Sequence, residues 1–184
     1  MKIGFLICGP SGVGKTSHVD QMLKNAGFNM KFVRIDPDAQ VADTHSKQSQ
    51  MAMESVAKRI REGKSFVYTA TCGGLKNIME MLKDMKNKGY RTIVAIPYTS
   101  VGTALERISK RIEQPVSEDV VKELHAFFAK KAEKYMDMPN LDEVYLYNNE
   151  KDFNLLLSMK DKKILCSSDS NFYFDISKYC VKSP

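Results

Sequence analysis

The stretch that decides the fold is a glycine-rich loop of eight residues, Gly9-Pro10-Ser11-Gly12-Val13-Gly14-Lys15-Thr16. It satisfies the pattern G-x-x-x-x-G-K-[ST], in which glycines let backbone N–H groups surround phosphate oxygens. An apolar run over residues 3–8 precedes the loop, and a segment with helical spacing over residues 15–25 follows it. A strand before the loop and a helix after it are the context that distinguishes a phosphate-binding loop from an ordinary turn. We therefore predict that all eight residues bind a nucleotide.

The last two residues of this loop have separate predicted roles. Lys15 can neutralise the β and γ phosphates, and the hydroxyl of Thr16 can bind Mg²⁺, so the predicted cofactors are ATP and Mg²⁺. No N-K-x-D guanine-reading motif occurs, which argues against a GTPase. Two later strands end at Thr69-Ala70-Thr71 and Ile96-Pro97-Tyr98, without the acidic residue that AAA-type or helicase-type ATPases carry there. These features favour a phosphotransferase.

Composition sets the broad class. The chain has 184 residues, 43% of them hydrophobic and 27% charged, and a net charge of +6. This length predicts one domain, residues 1–184. The basic balance is compatible with an anionic ligand, a nucleic acid or a soluble surface. The apolar run at the N-terminus breaks too early for a signal peptide and no 18 apolar residues run together, so we expect a soluble cytoplasmic protein without membrane contact.

Cysteine spacing gives a second expectation about the cellular environment. The four cysteines are widely spaced, with no CxxC pair and no histidine at zinc-ligand spacing. This pattern favours reduced thiols over a disulfide framework or a structural metal. The residues are Cys8, Cys72, Cys166 and Cys180.

Strand and helix signals alternate along the chain, which predicts an α/β fold with a parallel sheet. Five strands are expected, at residues 2–8, 32–35, 65–70, 92–97 and 144–147. Helices are expected at residues 15–25, 48–62 and 75–85, with two lid helices at about 100–112 and 117–136. The region 151–178 is expected to form short strands or a hairpin, at 153–157, 163–166 and 171–176, with a turn at 167–170.

Two carboxylates and two arginines are further candidates for the site. Asp36 and Asp38 follow the second strand, where a carboxylate can accept the proton of an acceptor hydroxyl, or where Asp36-Pro37-Asp38 can instead form a capped turn. Arg107 and Arg111 share one face of a helix and can close over a transferring phosphate. A solvated charged face, with glutamates interspersed, is the alternative for that pair. The residue pattern leaves both choices open.

The order of motifs resembles the zeta-toxin family of P-loop kinases and the related UDP-N-acetylglucosamine kinases. The resemblance covers roughly residues 3–149. It implies a P-loop NTPase fold of the nucleoside-kinase type, with three layers, a mainly parallel five-stranded sheet, a helical lid and a short C-terminal β-hairpin. Five features carry it: the glycine-rich loop, the strand end 34–38, the strand from Gly89-Tyr90 to Pro97, the helix 101–107 and the segment 141–149.

The resemblance also implies roles for individual residues. Lys15 would be the phosphate lysine, Thr16 the Mg²⁺ ligand, Asp38 the catalytic base and Arg107 the arginine that stabilises the γ phosphate. Arg111 is the candidate for a second lid arginine. The activity implied is ATP-dependent phosphorylation of a hydroxyl on a small molecule, such as the nucleotide sugar UDP-N-acetylglucosamine. An antitoxin-like protein is an implied partner.

The chain departs from the family pattern after the third strand. At this point the sequence of the toxins resembles E-G-T-x-R, whereas this chain has Thr69-Ala70-Thr71-Cys72-Gly73. Thr71 is kept and the acidic and arginine positions are not. We predict that Asp36 and Thr71 contact the acceptor and that this segment determines which acceptor is bound.

Two other functions are compatible with the sequence. A polynucleotide or nucleoside kinase would use the positive charge, with basic stretches at 160–163 and 178–182 and stacking on Phe172, Tyr173 and Tyr179. Packing of these aromatic residues in the protein core is the favoured alternative. A nucleotide-binding interaction module that has lost catalysis is suggested by the altered segment at 69–73.

Overall fold

The computed structural model describes residues 1–110, 116–161, 163–167 and 172–180. These residues form seven β-strands and five α-helices, with short 3₁₀ turns between them. In chain order the elements are β1 Lys2–Cys8, α1 Val19–Asn25, β2 Val33–Ile35, α2 His45–Glu62, β3 Phe66–Ala70, α3 Leu75–Asn87, β4 Tyr90–Tyr98, α4 Val101–Ser109, α5 Glu118–Ala132, β5 Glu143–Asn148, β6 Asn154–Lys160 and β7 Lys163–Cys166.

All seven strands belong to one sheet, in the order β2-β3-β1-β4-β5-β6-β7. The five strands from β2 to β5 are parallel, which confirms the predicted parallel core. The predicted C-terminal hairpin is also present as β6 and β7, but it joins the main sheet. β6 pairs antiparallel with β5, Glu143 facing Lys160, and thereby covers an edge that would otherwise expose unpaired backbone groups.

Helices cover both faces of the sheet, as a three-layer fold requires. On one face, α1 packs Val19, Met22 and Leu23 against apolar residues of β1, β4 and β5. On the other face, α2 and α3 pack against β1, β3 and β4 in the larger cluster. Because β1 is fully buried from Phe5 to Cys8, the loop that follows it leaves the carboxyl edge of a rigid central strand.

Helix α1 begins four residues later than predicted. The first bond from residue i+4 to residue i runs from Met22 N to His18 O, so residues 15–18 form turns that extend the glycine-rich loop. Helices α2 to α5 lie close to their predicted positions, with α5 continuing into a 3₁₀ turn at Glu133–Tyr135. The predicted end of the first lid helix, which includes Arg111, lies outside the described residues, as do most of the predicted turn at 167–170 and residue 171.

The described residues of the third predicted C-terminal strand, 172–176, are not a strand. The ring of Tyr173 lies 5.0 Å from the rings of both Tyr98 and Phe128, and its hydroxyl donates to the Pro97 carbonyl at 3.2 Å. Phe172 and Tyr179 also pack against the larger core cluster. Consecutive aromatic side chains therefore pack in several directions instead of alternating across a sheet, and these contacts support the core-packing interpretation over a nucleic-acid surface.

The expectation of reduced thiols is wrong for this structure, because the cysteines form two disulfides. Cys8 is joined to Cys72, with Cα atoms 5.3 Å apart, and Cys166 is joined to Cys180. The physical reason lies in the pairing of strands. β1 pairs with β3 in a register that places Cys8 opposite Ala70, two residues before Cys72. A sequence separation of 64 residues hides this proximity.

None of the helices that the structure describes is both long enough and apolar enough to cross a bilayer.

Candidate active site

The glycine-rich loop turns sharply between β1 and α1. Gly12 and Gly14 have φ angles of +82° and +88°, in the left-handed region that favours glycine. A Cβ atom on Gly12 would lie 2.8 Å from the Cβ of Ala104, and one on Gly14 would lie 2.2 Å from Nδ2 of Asn149. The two glycines therefore permit both the backbone conformation and the close approach of α4 and of the segment after β5.

Lys15 and Thr16 lie at the end of this loop, beside the first aspartate of the predicted pair. Nζ of Lys15 donates to the backbone oxygen of Pro10 at 2.8 Å. The hydroxyl of Thr16 donates to Oδ2 of Asp36 at 3.4 Å. Burial raises the pKa of Asp36, as does the charge of Asp38, while the Asp38 N–H, the charge of Lys15 and the Thr16 hydroxyl oppose this rise.

The Thr16 hydroxyl and the Asp36 carboxylate are oxygen donors of the kind that Mg²⁺ prefers. The partly desolvated carboxylate and the adjacent hydroxyl fit a divalent cation that would take its other ligands from phosphates and water. Thr16 is the residue predicted from the sequence to bind the metal. The sequence predicts Asp36 as a substrate contact, as one of two carboxylates that can accept a proton, or as part of a capped turn, but not as a neighbour of Thr16.

Asp36 and Asp38 have different surroundings. The side chain of Asp36 accepts a hydrogen bond from the backbone N–H of Asp38 at 3.0 Å and caps the 3₁₀ turn Pro37–Ala39, so the predicted capped turn is present. The carboxylate of Asp38 is 63% exposed and lies 3.8 Å from Nδ1 of His45. Capping thus occupies Asp36, while the Asp38 side chain stays accessible to a ligand.

A cavity of about 730 Å³ connects the glycine-rich loop with both aspartates. Its floor is formed by residues at the carboxyl ends of β2 and β3 together with the N-terminal turns of α2 and α3. The segment 69–73, which departs from the zeta-toxin pattern, lines the cavity with Thr71 included. Burial, then the charge of Asp36, raises the pKa of Tyr68 in this floor to about 12. The structure therefore brings Lys15, Thr16, Asp36, Asp38 and Thr71 around one space.

Arg107 reaches the other side of the loop from α4. Its Nη2 donates to the backbone oxygens of Asn149, at 2.7 Å, and Glu150, at 3.4 Å. Its Nη1 is buried and has no hydrogen-bond partner among the described residues. Burial lowers the pKa of His18, the residue that precedes α1, and the nearby charge of the Arg107 guanidinium lowers it further. Arg111, the second predicted arginine, lies outside the described residues.

Two neighbouring residues that the sequence reasoning did not single out connect these parts. Nδ2 of Asn149 donates to the backbone oxygen of Val13 at 2.9 Å, and its backbone oxygen receives Arg107. Glu150 accepts hydrogen bonds of 2.5–2.9 Å from the hydroxyls of Thr99, Ser100 and Thr103 and from the Ser100 N–H. Burial would raise the pKa of Glu150, but these donors outweigh it and lower the pKa from 4.5 to about 2.

His125 of α5 is a third residue missed from the sequence. It is 3% exposed, and its Nε2 lies 2.9 Å from the backbone oxygen of Ser11. Because a carbonyl oxygen only accepts, Nε2 must carry the proton. Burial lowers the pKa of His125, so the neutral ring holds the loop against α5. Its spacing of four residues from Val121 on the apolar face was the available sequence signal.

A parallel five-stranded core in the order 2-3-1-4-5, with a phosphate-type loop after the central strand and two helices over it, defines an α/β fold of the P-loop NTPase type. The chain belongs to the AAA_33 family, described as an AAA domain, whose model matches residues 5–131. This match concerns the domain type. β3 and β4 end at Ala70 and Tyr98, and neither strand end carries the acidic residue that is expected of an AAA-type ATPase.

Solved structures support the same fold. The AvrRxo1-ORF1:AvrRxo1-ORF2 complex with ATP has a TM-score of 0.66 and 16% identity, covering 90% of this chain and 60% of that chain. A structure of the PezAT chromosomal toxin–antitoxin system of Streptococcus pneumoniae has a TM-score of 0.65 and 19% identity, covering 86% and 72%. Kti12 of Chaetomium thermophilum in complex with ADP-AlF3 has a TM-score of 0.57 and 14% identity, covering 81% and 90%.

Because the sequence identities are between 14% and 19%, these similarities show the fold alone. The chain spans about three fifths of the AvrRxo1 chains that it matches. No curated protein sequence matches the chain significantly.

Proposed function

We propose that this protein is a kinase that transfers the γ-phosphoryl group of ATP to a hydroxyl of a small molecule. The observation that carries the proposal is the shared cavity, in which Lys15 and Thr16 of the phosphate-type loop face the same space as the exposed carboxylate of Asp38. A phosphate donor and a proton acceptor on one cavity are what phosphoryl transfer to an alcohol needs.

Each residue would act on a different part of the reaction. The acceptor oxygen forms a bond to the γ phosphorus, the bond from that phosphorus to the β–γ bridging oxygen breaks, ADP leaves, and the hydroxyl proton passes to the Asp38 carboxylate. Lys15 would neutralise charge on the β and γ phosphates, and Arg107 would direct its buried Nη1 to the γ phosphate. Arg111 is proposed as a second arginine for the same charge.

The metal would be held by the Thr16 hydroxyl, with the Asp36 carboxylate beside it. When bound, Mg²⁺ would neutralise phosphate charge and orient the terminal phosphates for in-line transfer. The position of Asp36 next to Thr16 supports an assignment to the metal side of the cavity, in addition to the acceptor contact predicted for it. Thr71, in the wall of the cavity, is proposed as an acceptor contact.

The resemblance suggests UDP-N-acetylglucosamine or another nucleotide sugar as one acceptor to test. It also suggests a protein partner of the antitoxin type, since the structural neighbours come from the two-component AvrRxo1-ORF1:AvrRxo1-ORF2 complex and from the PezAT toxin–antitoxin system. Both suggestions are proposals, because the chain covers only part of those proteins.

A search for reaction products tests the function without assuming an acceptor. The purified protein is incubated with ATP, Mg²⁺ and a small-molecule cell extract, and mass spectrometry records which compounds gain one phosphate. We expect such a product with the wild type and none above background with Lys15→Ala. A protein that binds ATP with Mg²⁺ and yields no phosphorylated compound over the Lys15→Ala background would contradict the proposal.

A further inference from the structure

The roof of the cavity is apolar and is supplied by the lid. Val116, Val120 and Leu124 are spaced by four residues along α5 and the residue preceding its cap, and all three line the cavity. We call these three residues the apolar roof. Val120 is 43% exposed, and the half-buried Leu124 belongs to none of the three hydrophobic clusters formed by the described residues.

The neighbouring side of α5 forms the packing surface of this helix. Val121, Phe128 and Ala132 are at most 2% exposed and contribute to hydrophobic clusters of the protein. A surface helix needs one apolar stripe to pack on the core. The apolar roof borders this stripe, with Val116 packed against the cluster that contains Val121, and it lines the space between the lid and the carboxyl ends of β2 and β3.

The cavity lining around Asp38, where the proposed reaction would take place, is polar. Asp38, Ser49, Thr71 and Asn77 line it with carboxylate, hydroxyl and amide groups, and we call them the polar floor. Met53 and Ile78 add apolar surface from α2 and α3. A ligand in this space would meet hydrogen-bonding groups near Asp38 and aliphatic side chains under α5.

We infer that the acceptor is an amphipathic alcohol, whose hydroxyl end lies on the polar floor and whose hydrocarbon or aromatic body lies against the apolar roof. This inference rests on the proposed kinase function. Removing aliphatic side chains such as Val120 and Leu124 from water favours binding in proportion to the apolar area covered, which an entirely hydrophilic sugar cannot provide. The roof and the glycine-rich loop line one cavity, which supports the acceptor as the occupant of the roof.

Fractionation of the acceptor pool tests this inference. A small-molecule cell extract is separated on a reversed-phase column into a retained fraction and a flow-through fraction, which contains free sugars and nucleotide sugars. Each fraction is then incubated with the protein and ATP labelled in the γ phosphate. We expect label to be transferred to compounds of the retained fraction. Transfer to the flow-through fraction alone overturns the amphipathic acceptor and leaves the kinase function intact, whereas transfer to neither fraction overturns both.

Matched variants link the result to the roof. Val120→Asn and Leu124→Asn are expected to lower transfer to the retained fraction at limiting acceptor by about tenfold or more, because each removes apolar contact area. The affinity for ATP should not change. Met79→Asn is the control, since Met79 is 42% exposed on α3 and does not line the cavity. Unchanged transfer in both roof variants would overturn the inference and would identify the roof as a surface for another occupant, such as a protein partner.

Discussion

Arg107 and Asn149 are joined by a hydrogen bond of 2.7 Å from the guanidinium Nη2 to the backbone carbonyl. The side chain of Asn149 in turn donates to the backbone oxygen of Val13. The lid helix α4 is therefore connected to the glycine-rich loop through one buried residue that directly follows β5. We infer that this connection sets the position of the Arg107 guanidinium beside the glycine-rich loop.

Arg107→Lys tests this role. A single ammonium cannot replace the planar guanidinium, which bonds to Asn149 and still presents Nη1. We expect the rate of phosphoryl transfer to fall by about 100-fold or more, as for loss of a group that stabilises the transition state. The affinity for ADP should change little. Lys110→Ala is the control, because Lys110 is exposed and pairs with Glu106 on the same helix. Equal losses in rate and in ADP affinity would instead indicate a structural role.

Gly14→Ala should weaken nucleotide binding by a steric mechanism. The added Cβ would lie 2.2 Å from Nδ2 of Asn149 and would displace its bond to Val13. Gly27→Ala is the matched control, since Gly27 has the same φ of +88° and nothing within 4 Å of an added Cβ. Both variants should lose about 1–2 kcal/mol of stability from the backbone conformation. We expect only Gly14→Ala to weaken ATP binding in a calorimetric titration, and equal ATP affinities in the two variants would contradict this steric account.

Glu150→Gln should destabilise the fold around the start of α4. Its carboxylate accepts four hydrogen bonds, and bonds to a charged group contribute about 1.5–3 kcal/mol, so we expect the free energy of unfolding to fall by about 2 kcal/mol. Glu106→Gln, on the exposed side of α4, should leave the free energy of unfolding nearly unchanged. Chemical denaturation measures both values. A Glu150→Gln variant as stable as Glu106→Gln would show that this network contributes little.

The pKa of Glu150 adds a pH dependence with a defined sign. Because the folded state lowers this pKa from 4.5 to about 2, the stabilisation is fully present above about pH 5. It is lost as the pH falls through the window between these two values. The difference in unfolding free energy between the wild type and Glu150→Gln should therefore be constant at neutral pH and shrink below pH 4.5. A difference that grows on acidification would contradict this assignment.

The Cys8–Cys72 disulfide should stabilise the protein strongly, because it closes a loop of 64 residues. Loop-closure entropy of that size corresponds to about 4 kcal/mol. The Cys166→Ser/Cys180→Ser variant isolates this bond, and its unfolding free energy should fall by about this amount when a reductant is added. Titration of thiols in the native, unreduced variant gives an independent check. Two reactive thiols, together with no effect of the reductant, would show that the bond is absent.

The sequence predicts the parts of this protein that depend on local patterns. Apolar runs locate the five parallel strands, and G-x-x-x-x-G-K-[ST] locates the loop after β1, because both signals are written in consecutive residues. Asn149 and Glu150 follow a strand and look like ordinary turn residues in the sequence. Their structural roles depend on hydrogen bonds to Val13 and Ser100, which are far away in the chain. The disulfide at Cys8 likewise depends on strand pairing.

Two predictions made from local residue patterns, the start of α1 and a strand at 171–176, are wrong. The side chains from residue 15 onward suit a helix and predict that α1 begins there. In the structure, the first helical hydrogen bond has the His18 carbonyl as its acceptor. The segment 172–176 has the composition of a strand, but Tyr173 packs between Tyr98 and Phe128 of the core. The roles of Lys15, Asp38 and the other site residues stay predictions.

Single-turnover transfer from γ-labelled ATP by Asp38→Asn, with the small-molecule extract as acceptor source, tests the central claim most directly. The amide keeps the size of the side chain and removes its capacity to accept a proton. We predict that ATP affinity is unchanged and that transfer falls by about 100-fold or more, as expected for loss of a general base. Transfer at the wild-type rate would contradict the assignment of Asp38 as the base that receives the acceptor proton.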